Sequence, residues 1–173
     1  MIERDLATTH LPLITDEWTL AAYTDPAGLS TSQKHVLAAS NTLVEELLAA
    51  DTIVIGAPMH NFAISALLKA WIDQVVRVGR TVIFNPNGPQ GLLRGKKAVV
   101  IAGRCVSRGH SDRAIRLSGA LLAAHPGFRG IDHVTFIHAE NQKTGGLGES
   151  SRTAAIAQIQ QAAAGQTAAA AMP

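Results

Sequence analysis

An α/β fold built on a parallel sheet is what this sequence predicts, and three observations carry that expectation. Thr52–Gly56 (TIVIG), Lys97–Ala102 (KAVVIA) and Asp132–Ala139 (DHVTFIHA) are short, largely apolar and rich in β-branched residues, as strands are. Segments with helical periodicity alternate with them, which implies right-handed strand–helix–strand units. The first run breaks at Gly56-Ala57-Pro58 into a polar loop before a new helix begins. Loops beyond the carboxyl ends of strands are where such sheets bind small molecules.

Taken in order, residues 1–30 predict a short strand at the very start, near residue 2, and then a loop-like tract. Pro12, Asp16, Asp25-Pro26 and Gly28 punctuate that tract. Ser30 and Gln33 have capping-box spacing, and Val36, Leu43, Val44, Leu47 and Leu48 continue one helix to Ala50. The strand at Thr52 follows after a single Asp. The next helix spans Ser65 to Arg77, with Leu67, Leu68, Trp71, Ile72, Val75 and Val76 in one stripe and Gly79 suited to the position after its end.

Residues Thr81–Gly95 read as irregular, and the strand Lys97–Ala102 then ends at Gly103. A helix capped by Ser111 or Asp112 runs to Ala124, where Pro126-Gly127 stops it. The strand Asp132–Ala139 has a wetter face, through His133, Thr135 and His138. A mobile loop, Asn141–Gly148, leads to an Ala-rich helix starting near Glu149 and fading after Gly165. One domain over residues 1–165 with a frayed tail over 166–173 is therefore expected.

Bulk properties narrow the function classes. The chain has 173 residues, enough for one domain with a real core, and 47% are hydrophobic, which argues against disorder. The net charge is +2 with cations scattered singly, so no basic stripe with interleaved aromatics suggests a nucleic-acid groove. Cys105 stands alone, which rules out an intrachain disulfide or a thiolate metal cluster. The start, MIERDLATTH, has no apolar leader core and no run is long enough to span a bilayer, so a soluble, cytoplasmic protein is expected. The seven histidines show no metal-ligand spacing, Cys105 has no identifiable base, and Ser107 and Ser111 lack a nucleophile elbow.

The loops after the three strands, Pro58–Phe62, Gly103–Gly109 and Glu140–Gly148, emerge at one edge of a parallel sheet and can converge on one ligand. Pro58-Met59-His60-Asn61-Phe62 offers main-chain donors, an amide and two apolar surfaces, which suits a flat heteroaromatic ring. On spacing alone, a plain connecting loop, with Phe62 in the core and Asn61 as a turn former or helix cap, is the favoured reading.

A resemblance shifts that balance. Ala57-Pro58-Met59-His60-Asn61-Phe62 resembles the A-P-M-Y-N-F segment of the FMN-dependent NADH-azoreductase and quinone-reductase family, with His60 in place of Tyr. Gly88-Pro89-Gln90-Gly91-Leu92-Leu93-Arg94-Gly95-Lys96 is similar to its G-P-x-G-L-x-x-G-K segment, and Phe128-Arg129-Gly130-Ile131 to its F-x-G-I turn. Asp5-Leu6 and Leu11-Pro12 resemble its second strand and the following loop. The resemblance covers about residues 2–165.

It implies a flavodoxin-like three-layer sandwich with a parallel sheet and a homodimer, for which the Leu67–Val76 helix is the candidate contact. The implied activity is transfer of electrons from NADH through FMN to quinones, or reductive cleavage of azo compounds. By the same resemblance Met59, His60, Asn61 and Phe62 would hold the flavin ring, as would Gly103, Arg104, Cys105 and Val106, where the family has S-R-G-G. Of those four only Arg104 is kept. Cys105 and Val106 bring Cβ atoms where glycines allow close approach. No catalytic side chain is implied, because the flavin carries the chemistry.

The front of the chain departs from the family, which begins with a strand and a Ser-rich loop that grips the FMN phosphate at a helix N-terminus. Neither precedes Thr31 here. The fold is therefore expected to be truncated at the N-terminus, with residues 2–6 lacking their neighbour and the edge of the Thr52 strand exposed. A competing expectation is a non-catalytic relative that retains no FMN and acts as an interaction module. A third is a flavin carrier or a different flavodoxin-like reductase.

Overall fold

The computed structural model describes residues 1–61, 63–104, 130–131, 133–143 and 145–170, with side chains of the last helix described to residue 164. Its centre is a parallel sheet of β1 (Thr52–Gly56), β6 (Lys97–Gly103) and β7 (His133–Ala139), in the order β1-β6-β7. The register runs from Thr52 opposite Lys97 to Gly56 opposite Ile101, and from Lys97 opposite His133 to Gly103 opposite Ala139. Three expected strands are thus present, each within one residue of its expected bounds. The expected order is a parallel one because each connection between them is long enough to cross over.

β1 is an edge in this sheet, as expected. Ile53 and Ile55 are buried while Val54 is 64% exposed on the opposite face. Residues 1–5, by contrast, form no strand. The Asp5 carbonyl instead accepts from the Thr9 N–H at 2.9 Å and the Thr9 hydroxyl at 2.6 Å, closing a local turn. Leu6 and Leu11 pack on the core and Arg4 pairs with Glu46. A strand there would need a ladder partner, and the segment satisfies its backbone locally instead.

The helices follow the apolar stripes. α4 (Ala66–Val75) starts where Ser65 caps it, the hydroxyl accepting from the Leu68 N–H at 3.1 Å. It buries Leu68, Trp71, Ile72 and Val75 against Leu43, Val44 and Leu47 and the Ile53/Ile55 face of the sheet. The helix ends at Val75 with Val76 as its cap, two residues before the expected Arg77, so Gly79 at φ +76° does not end it but serves the following turn, its N–H donating to the Val82 carbonyl at 2.8 Å. The expected capping box is present, but the single helix of residues 30–50 is two: α2 (Thr31–Val36) and α3 (Ala38–Ala49). Leu37, fully buried beside Trp18 and Ala21, sits at the break. Val36 and Leu37 pack on the Trp18 cluster, whereas Leu43, Val44 and Leu47 of α3 pack on the main core.

The loop expected before Ser30 also holds α1 (Asp16–Tyr23), capped by Thr15 with Asp16 and Glu17 in its first turn. Residues expected to be irregular form an antiparallel hairpin of β4 (Val82–Asn85) and β5 (Gly88–Gly91), turned at Pro86-Asn87 with Gly88 at φ +102°. The final helix, α5 (Gly145–Ala170), begins four residues before the expected Glu149, inside the segment expected to be a loop. Ala155 and Ile159 of α5 cover Val99 and Ile137 on the second face of the sheet. The helix expected over residues 111–124 lies outside the described residues. Among the described residues no helix is long and apolar enough to cross a membrane.

Candidate functional site

At the carboxyl edge of the sheet, β1 does not stop at Gly56. The Ala57 N–H donates to the Ile101 carbonyl at 2.8 Å, carrying the chain past the last paired residue before Pro58 turns it. A tight antiparallel pair follows, β2 (Met59–His60) with β3 (Ala63–Ile64), with Met59 opposite Ile64 and His60 opposite Ala63. A two-residue corner of this kind demands positive φ, and Asn61 supplies it at +45°. Asn61 is therefore chosen first by the backbone, and its exposed side chain is left at the tip, as is that of His60. Met59 is half-buried, and Ile64 anchors the return strand in the main core.

This separates two roles of Asn61. Asn61→Gly keeps the left-handed corner and is expected to leave stability within about 0.5 kcal/mol, whereas Asn61→Ala costs about 1 kcal/mol. Urea titration of the two variants checks the difference.

β6 and β7 reach the same edge together. Gly103 lies opposite Ala139, and a Cβ built on it meets nothing within 4 Å. Arg104, one residue on, is buried, 4% exposed. Its N–H donates to the Ala139 carbonyl at 2.9 Å, and its carbonyl accepts from the Gln142 N–H at 3.1 Å. The guanidinium Nη2 donates to Glu140 Oε1. Nε and Nη1 are buried and have no hydrogen-bond partner among the described residues. Buried donors are nearly always paired, so these two mark a place suited to an acceptor.

Glu140 is itself held: its N–H donates to the Ser151 hydroxyl at 2.7 Å, and Gln142 Nε2 donates to its carbonyl at 3.0 Å. Glu140, Gln142 and Ser151 were not singled out from the sequence. No signal in the sequence sets Arg104 beside Glu140, which follows from the observed register one step past Gly103 and Ala139.

Of the expected site residues, the structure brings Met59, His60, Asn61, Gly103 and Arg104 to one edge of the sheet. Phe62, Cys105 and Val106 lie outside the described residues. Among the described residues no group of three His, Cys, Asp or Glu could hold a metal ion. Trp18 and Trp71 are buried in this chain.

Residues 1–164 match the family model described as a flavodoxin-like fold. The chain is 40% identical over 162 residues to FMN-dependent NADH:quinone oxidoreductase 1 of Trichormus variabilis, across 94% of this chain and 76% of that protein. It is 44% identical over 149 residues to FMN-dependent NADH:quinone oxidoreductase 3 of Pseudomonas aeruginosa, across 82% of this chain and 66% of that one. Its fold superimposes on a crystal structure of azoreductase from Bacillus anthracis with a TM-score of 0.82, at 24% identity, over 94% of this chain and 80% of that one. The expected resemblance and fold class are thereby established, and the chain belongs to the flavodoxin-like family that includes these FMN-dependent NADH:quinone oxidoreductases.

Proposed function

We propose that this chain serves as an FMN-dependent oxidoreductase that passes electrons from NADH to quinones or to azo compounds. The observation that carries the reading is the edge of the sheet itself. A hairpin with Asn61 at φ +45° and a buried Arg104, two of whose donors have no hydrogen-bond partner among the described residues, stand at the carboxyl ends of adjacent parallel strands. Relatives at 40% and 44% identity bear the name of that activity.

The described residues fit the ring portion of FMN. The hairpin offers exposed main-chain groups and the Asn61 amide, Met59 offers an apolar surface, and the Arg104 donors suit oxygen or nitrogen acceptors. When bound, the flavin supplies the two-electron chemistry. The work left to the chain is binding and orientation. Met59 to Phe62 would hold one edge of the ring and Gly103 to Val106 another. His60 presents a titratable donor where an aromatic surface stands in the family, which bears on the choice of acceptor. We further propose a cytoplasmic homodimer. Most of the apolar stripe of α4 is spent on this chain's own core, and Leu67, 44% exposed, is its large apolar residue left outward, beside exposed Ala66 and Lys69.

The test is spectroscopic. The purified chain, given FMN, is expected to show flavin bands near ~370 and ~450 nm, as bound flavin does, and to bleach with NADH. Failure to retain FMN at high concentration overturns the reading and favours the non-catalytic relative. Asn61→Gly is expected to weaken FMN about tenfold, roughly one charge-assisted or well-placed hydrogen bond, without loss of stability.

A further inference from the structure

Resting on the function proposed above, we propose that the Arg104–Glu140 pair sets the redox poise of the bound flavin. Arg104 offers the buried positive charge, and Glu140 is the positioning residue that holds and partly offsets it.

Three features converge on this. Arg104 is 4% exposed, so its charge acts through protein rather than water and is felt several times more strongly than a surface charge. Its guanidinium is gripped at one end only. Nη2 is committed to Glu140, while Nε and Nη1 are buried with no hydrogen-bond partner among the described residues. Its backbone is also fixed on both sides, through the Ala139 carbonyl and the Gln142 N–H, so the side chain leaves the sheet edge at a set point.

Glu140 is built into its place in the same way. The Ser151 hydroxyl of α5 receives its N–H and the Gln142 amide reaches its carbonyl. A surface ion pair would have no need of this scaffolding, and would contribute little. A half-paired, rigidly held cation at the edge where the ring is proposed to lie does more than anchor a strand. It favours whichever state of the ligand carries more negative charge.

The flavin ring changes charge in the proposed reaction. Two electrons arrive from NADH and later leave to the quinone or azo acceptor. If the ring takes up one proton with them, it carries one added negative charge in between. Arg104 and Glu140 neither gain nor lose electrons. Arg104 lowers the energy of the charged state, and Glu140 tempers that effect by neutralising part of the guanidinium.

The experiment measures the midpoint potential of FMN bound to the wild-type chain and to Arg104→Gln, Arg104→Lys and Glu140→Gln, by equilibration with a reference dye. Binding of oxidised FMN is followed by fluorescence quenching. Arg104→Gln is expected to weaken reduced FMN about tenfold more than oxidised FMN, a fall of about 30 mV for a two-electron couple. Glu140→Gln is expected to move the potential the other way, because the cation loses its counter-charge. Arg104→Lys, which keeps the charge and loses the fork, is expected to retain at least half of the wild-type effect.

Opposite signs for the two charge-removing variants are the signature, because a merely structural pair would shift both alike or neither. Unmoved potentials, or shifts of the same sign, overturn the inference while leaving the proposed function standing. A wild-type chain that takes up no FMN overturns both. If Arg104→Gln does not fold, the sign for the nearly isosteric Glu140→Gln decides.

Discussion

Gln74→Ala is expected to cost about 3 kcal/mol of stability, lowering the melting temperature by about 6–12 °C for a chain of this size. Gln74 is fully buried on α4 and binds two distant segments through its side chain. Its Oε1 accepts from Trp18 Nε1 at 3.0 Å, and its Nε2 donates to the Pro12 carbonyl at 2.6 Å. Its own carbonyl accepts from the Ser40 hydroxyl at 2.6 Å, which in turn receives Arg77 Nη1 at 2.8 Å. Truncation leaves an indole N–H and a carbonyl without partners and opens a cavity beneath α1.

Arg77 raises the stakes of that loss. It is buried beside Arg80, and desolvation chiefly, with the Arg80 charge second, holds its pKa below the ordinary guanidinium value. The ring of Trp18 lies 5.6 Å from its guanidinium carbon, a distance at which a cation is attracted to an aromatic face. Moving Trp18 therefore unsettles a charge as well as a contact. Gln74→Met keeps most of the volume and removes only the hydrogen bonds, so about 2 kcal/mol is expected from it. Urea unfolding followed by both circular dichroism and tryptophan fluorescence measures each value. A loss below about 1 kcal/mol for the Ala variant would mean that the network is not the tie between α1 and the domain.

Gly130→Ala is expected to be as damaging, at about 3 kcal/mol, the upper part of the range for overpacking. A Cβ at residue 130 would lie 2.8 Å from both the C and the O of Gly91 and 2.9 Å from the Leu93 nitrogen. All three are backbone atoms of the segment that leaves β5, so no side chain can swing away. Gly130 thus passes under the β4–β5 hairpin at the entry to β7, with buried Ile131 and Leu93 on either side of the crossing. Gly103→Ala is the internal control, since its Cβ meets nothing within 4 Å, and less than about 0.5 kcal/mol is expected. Equal losses from the two variants would refute the close crossing.

Much of the fold was legible because its signals are local. The Ser30–Gln33 box, the Ser65 cap and the apolar stripe of α4 each draw on residues within one or two turns of one another. The runs TIVIG and KAVVIA need only their own β-branched, apolar character to be recognised as buried strands. Where the reading failed, the decisive partner was far away. Thr15-Asp16-Glu17 is a fair helix start, yet α1 is secured by a hydrogen bond from Trp18 to a residue 56 positions on. At the break, Leu37 is buried with Trp18 and Ala21, from a segment distant in sequence, while α3 packs on the main core. The β4–β5 hairpin was hidden by prolines and glycines that read as a loop until their antiparallel partner is in view.

The candidate site divides in the same way. Ala57-Pro58-Met59-His60-Asn61-Phe62 stood out as a loop beyond a strand, and the corner at Asn61 follows from a residue that tolerates positive φ. By itself, then, the sequence determined the strands, the main caps, the lineage and the loop that begins the site. Only the tertiary structure decided that Arg104 is buried with Nε and Nη1 lacking a hydrogen-bond partner among the described residues, and that Glu140 takes its Nη2. The physical reason is that helix caps and strand propensities are set by neighbours along the chain. Burial of a charge and the pairing that offsets it are set instead by register between strands, and register exists only once the chain has folded.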